Sequence, residues 1–140
     1  MTGSQFENEI RADIEALKSA KAKEVAEATA RHLEQSKQRE RRIERMRALE
    51  PDAKDAFEQA ARAGDGLIKI QILSGQDNKD YVLTWSTGRP EREVRLTFDY
   101  DKGLIFEQSG GGSPSPVDPI QPNVSRGSFE SLIRRWVQSR

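Results

Sequence analysis

From Lys37 to Arg47 the chain reads Lys-Gln-Arg-Glu-Arg-Arg-Ile-Glu-Arg-Met-Arg, with six cations and two carboxylates. On a helix, Lys37, Arg41 and Arg45 recur at i, i+4 and i+8 and form a cationic row opposite Ile43 and Met46. Such a row has the spacing to meet successive phosphates of a nucleic-acid backbone. No aromatic residue interleaves with these cations, so base stacking is missing. The same spacing also makes a solvated helix face, with Glu40 near Lys37 and Glu44 near Arg41 and Arg47 as i, i+3 pairs. Nucleic-acid binding through Lys37, Arg41 and Arg45 is therefore the alternative reading, not the favoured one.

Other chemistry fails to assemble. The absence of cysteine removes disulfides, thiolate nucleophiles and Cys-ligated zinc. His32 is the lone histidine and lies among Thr29, Gln35 and Ser36, with no second ligand for a metal. Asp99-Tyr100-Asp101-Lys102-Gly103 resembles the start of a calcium loop, but it lacks a third oxygen donor before the glycine and a downstream bidentate Glu. It reads as a hairpin turn. Gly110-Gly111-Gly112 lacks the Lys and Ser/Thr ending of a phosphate loop. Tyr81 and Trp85 have the alternating spacing of core residues, or of the wall of a pocket under a last helix. A small enzyme using that pocket is a third reading. No catalytic residue, cofactor or metal is expected.

The 23 Lys plus Arg balance 23 Asp plus Glu, so attraction to any polyanion or membrane must come from local clustering. Charged residues make up 33% of the 140 and hydrophobic ones 34%, which limits the core to a small one. No run of ~18 apolar residues exists, and Met1 to Ile10 lacks the basic and apolar regions of a secretory signal. The expectation is a cytoplasmic protein without a membrane partner. Asn123-Val124-Ser125 matches a glycosylation sequon, a short pattern of little weight in that compartment.

From Ser4 to Leu49 there is no Pro or Gly, and strong helix formers dominate. Phe6, Ile10, Ile14, Leu17, Val25, Ile43, Met46 and Leu49 fall on one side of that helix. Large apolar residues crowd its two ends, and the middle offers chiefly Val25 and alanines, with Leu33 off the stripe. A helix of about 46 residues would run roughly 70 Å, whereas a body folded from the remainder would have a radius of gyration of about 11 to 12 Å. The helix must project, pair with another chain, or fold back near its polar middle.

Pro51 predicts the end of that helix and the start of a short second one reaching Ala63, with Gly64 as the stop. Beyond Gly66 the apolar period drops to 2, which predicts strands over Leu67–Leu73, Tyr81–Trp85, Val94–Tyr100 and Leu104–Glu107. Short turns, including Ser86–Arg92 around Gly88 and Pro90, make the sheet a four-stranded antiparallel meander. Residues 109–122 are Gly/Ser/Pro-rich and read as an extended tether. Phe129, Leu132, Ile133, Trp136 and Val137 then mark an amphipathic helix, capped by Ser125 or Ser128, that covers the sheet.

The fold class is thus α+β, with a charged helix over residues 1–50 and a small α+β body over 51–140. The function expected is a non-catalytic protein–protein interaction or assembly module. It would bind itself, as a homo-oligomer, or a protein partner. The pairing face would comprise Phe6, Ile10, Ile14, Leu17, Val25, Ile43, Met46 and Leu49.

Overall fold

The computed structural model describes residues 2–86 and 93–139, so most of the expected Ser86–Arg92 turn lies outside the described residues. Seven elements follow in order: α1 (Thr2–Ala63), β1 (Ile68–Ser74), β2 (Asn78–Trp85), β3 (Val94–Asp99), β4 (Leu104–Ser109), β5 (Ser115–Val117) and α2 (Arg126–Gln138). The chain divides into two units, Met1–Gln38 and Arg39–Arg140. The α+β class is as expected.

The expected break at Pro51 does not occur: α1 is one 62-residue helix with Pro51 inside it. The energetics explain the difference. An interior proline costs a helix about 3 kcal/mol through its missing N–H and its ring clash. Met46 and Leu49 before the proline, and Ala53, Ala56 and Phe57 after it, are all buried in the same core. Burying the three large side chains contributes roughly 5 to 9 kcal/mol, at about 1.5 to 3 each, and that burial needs one continuous face. Pro51 is itself exposed, on the side where a lost helical bond is cheapest.

The end of α1 is set by close packing. A Cβ on Gly64 would stand 2.8 Å from the Ile68 side chain, too near for any residue but glycine. The chain turns through Asp65 and Gly66, both at positive φ, into β1.

The sheet is an antiparallel meander of order β1-β2-β3-β4-β5, five strands where four were expected. The fifth lies inside the Gly/Ser/Pro segment, where Ser115, Pro116 and Val117 pair with Glu107, Phe106 and Ile105. Proline is acceptable there because an edge strand need not donate on both sides.

Register places Ile68, Trp85, Leu83, Tyr81, Val94, Leu96, Phe98 and Ile105 on one face. Both helices pack on that face. Phe57 of α1 meets Tyr81 (ring centroids 6.0 Å apart), Tyr81 meets Phe98 (5.9 Å), Phe98 meets Phe129 of α2 (6.2 Å), and Trp85 stacks on Trp136 of α2 (4.8 Å). Ser125 is the N-cap of α2, and its N–H donates to Ser128 Oγ. The opposite face carries Lys69, Gln71, Arg95 and Thr97 as expected, but also a buried Val82 and a buried Asp80 paired with Arg95 at 3.0 Å.

Replacing Pro51 with Ala restores an N–H to the carbonyl of Arg47 and should raise the free energy of unfolding by about 1 to 3 kcal/mol. Urea denaturation reads this directly. An unchanged or lower midpoint would mean that the proline costs the packed helix nothing.

Candidate functional site

The described residues of the first unit, 2–38, are all α-helical. Helix-forming residues without Pro account for its local structure, but propensity alone leaves long helices marginal, and most helical stability comes from burying an apolar face. That burial is missing. Phe6 is 64% exposed, Leu17 64% and Val25 66%, with Ile10 and Ile14 above 40%. Among the described residues, no side chain from 4 to 38 forms a hydrogen bond, ion pair or ring contact. The stripe expected for pairing is therefore present and uncovered over Phe6, Ile10, Ile14, Leu17 and Val25.

Its second half is used otherwise. Met46 is fully buried, Leu49 is 2% exposed, and both belong to the core of their own chain. Ile43 is half-buried. Met46 and Leu49 were expected at the pairing face, and they are already buried in the core of their own unit. The sheet satisfies an apolar demand that periodicity alone assigns to any partner.

The basic row is split as well. Arg45 Nη2 donates to the carbonyl of Val124 at 3.0 Å, so it anchors the segment entering α2 and is not a free phosphate ligand. Arg39 Nη2 donates to the carbonyl of Asp101 (3.0 Å), and Arg42 pairs with Asp118 (3.4 Å). Arg39, Arg42 and Arg45 follow one another at i, i+3 and i+6, which places them along the packed side of α1. Lys37 and Arg41 remain exposed. Sequence shows the i+3 spacing, but the acceptors lie more than 60 residues away.

A polar cluster unseen in the sequence sits beside the core. Glu50 accepts hydrogen bonds from the hydroxyls of Tyr81 (2.9 Å) and Tyr100, and Lys79 Nζ lies 3.4 Å from the same carboxylate. Glu50, Lys79 and Tyr100 border a cleft of about 460 Å³ between α1 and the β1–β2 turn, lined also by Arg47, Gln76 and Asn78. Burial, reinforced by the Glu50 carboxylate, pushes both tyrosine hydroxyls well above their ordinary range. They act as donors and stay protonated at neutral pH, while the oxygens of Glu50 are already occupied. The spacing signalled Tyr81 as a core residue; nothing local marked Glu50 as its partner, since the two are 31 residues apart.

A second cleft, about 370 Å³ and almost wholly apolar, lies between the end of α1 and Val137, with Leu67, Ile68 and Trp85 in its wall. Trp85 thus lines a cleft and stacks on Trp136, while Tyr81 is core. Burial also raises the carboxyl of Glu107, an effect offset in part by Arg135. The Asp99–Gly103 segment is a tight turn: Gly103 N–H donates to the Asp99 carbonyl and Lys102 N–H to its carboxylate. Among the described residues, no three His, Cys, Asp or Glu side chains are grouped to hold a metal ion.

Comparison of the chain with protein-family models, with curated proteins and with solved structures finds no match.

Removing the Glu50 carboxylate by Glu50→Ala leaves the Tyr81 hydroxyl buried without an acceptor and should cost about 2 to 4 kcal/mol; Tyr100→Phe, which removes one bond with its donor, about 0.5 to 1.5. Both are measurable by denaturant titration. The pH dependence follows from the raised tyrosines. The folded chain keeps protons that the unfolded chain releases near pH 10.0, so the contribution is intact below that pH and is lost as pH rises above it. Tyr100→Phe should flatten that alkaline decline.

Proposed function

We propose that this chain is a cytoplasmic, non-catalytic interaction or assembly module that self-associates or docks through the N-terminal part of α1. One observation carries the reading. Phe6, Ile10, Ile14, Leu17 and Val25 form a single helical stripe, and every one of them is exposed in a unit that offers nothing to cover it. Burying a large apolar side chain contributes about 1.5 to 3 kcal/mol, so a partner covering this stripe gains several times the energy that holds an isolated helix together. A contiguous apolar patch of this kind marks an interaction surface.

The C-terminal unit supports the same division of labour. It has its own core, from Met46 to Trp136, and needs no residue of the first unit to complete it. Its most elaborate polar cluster, around Glu50, is internally satisfied. Among the described residues no helix is long and apolar enough to cross a membrane.

Sedimentation equilibrium of the full chain tests the reading. The wild type should associate in the micromolar range. Ile10→Glu with Ile14→Glu should weaken association more than about 100-fold, because each copy loses two buried apolar anchors. A wild-type chain that is strictly monomeric at high micromolar concentration, with residues 4–38 still protected from protease, would reject self-association.

A further inference from the structure

Building on the self-association reading, we infer that the partner of the N-terminal unit is a second copy of the same chain, paired antiparallel. Charge is segregated along the exposed helix. Residues 4–17 carry Glu7, Glu9, Asp13 and Glu15 against Arg11, a net of 1 − 4 = −3. Residues 18–38 carry Lys18, Lys21, Lys23, Arg31 and Lys37 against Glu24, Glu27 and Glu34, a net of 5 − 3 = +2. Two copies laid parallel and in register set the acidic segment on the acidic one and the basic on the basic. Antiparallel pairing about Leu17 sets residues 6–16, net 1 − 4 = −3, against residues 18–28, which carry Lys18, Lys21 and Lys23 against Glu24 and Glu27, net 3 − 2 = +1.

Side-chain size points the same way. The exposed stripe runs Phe6, Ile10, Ile14, Leu17 in its first half and Lys21, Val25, Ala28 in its second. A parallel pair stacks Phe6 on Phe6 at one end and Ala28 on Ala28 at the other, so the interface tapers and its small end is left with gaps. An antiparallel pair sets large residues against small ones at both ends, the condition for even packing between two helices. Lys21 decides further against the parallel form. It lies four residues after Leu17 and four before Val25, within the stripe itself, so in register it would face its own copy in a desolvated seam. Turned around, it comes opposite Asp13. Like charges brought together at a seam select against one orientation while the alternative is rewarded.

The test uses two charge reversals at exposed positions of the full chain. One variant carries Asp13→Lys and Glu15→Lys, the other Lys18→Glu and Lys21→Glu, and a third combines all four. For an antiparallel pair, each double variant should self-associate about 10-fold more weakly than the wild type at low salt, and the fourfold variant should regain wild-type affinity, since each altered end again meets its opposite. The differences should fade at about 1 M salt. Because the chain has no cysteine, a single label introduced at Glu9→Cys gives a distance readout: a long label-to-label separation, shortened when Glu9→Cys and Glu27→Cys copies are mixed, supports the antiparallel form. Wild-type association with unchanged affinity in both double variants, or a short separation between Glu9→Cys labels, overturns the orientation and leaves self-association standing. A monomeric wild type overturns both.

Discussion

Met46, Leu49, Ala53, Ala56 and Phe57 form one face of α1 that is buried on both sides of a proline. The rest of the C-terminal unit depends on this face staying continuous. It seats the helix on β2 through Phe57 and Tyr81, sets the height at which Glu50 reaches the two tyrosine hydroxyls, and positions Arg42 and Arg45 over the segment that leads into α2. A break at Pro51 would free the two halves to rotate independently, and the sheet would lose either Met46 and Leu49 or Phe57. The helix therefore accepts a local penalty because a larger nonlocal gain requires it.

That competition also explains how much could be read from the residues. The strands were legible because period-2 alternation in Ile68–Ile72, Tyr81–Trp85 and Val94–Phe98 has one physical meaning when one face is buried. α2 was legible from Phe129 to Val137 for the corresponding reason at period 3.6. Pro51 misled because a propensity carries no information about the core on its far side. β5 was hidden because Ser-Pro-Val has no alternation to detect, and only the edge of β4 gives it a partner.

The candidate site was half legible. Phe6 to Val25 reads as an apolar stripe and is one, since nothing in its own unit intervenes. Met46 and Leu49 belong to the same stripe by angle, and only the presence of a sheet separates their role from that of Leu17. Arg45 and Glu50 illustrate the harder limit: their partners, Val124, Tyr81 and Tyr100, are brought near by topology, and no local pattern encodes a contact across that many residues. The two units thus satisfy their apolar residues differently, one inside its own chain and one left open to solvent.

The three-residue strand β5 bears on that difference. An open sheet edge invites any extended chain to add itself by backbone hydrogen bonding, regardless of the incoming sequence. Here the β4 side ends in a strand too short to template another, with Pro116 at its centre unable to offer an N–H and Pro114 just before it. Backbone-driven stacking along that edge, the route to fibrous growth, is opposed by a segment whose composition looks like mere spacer.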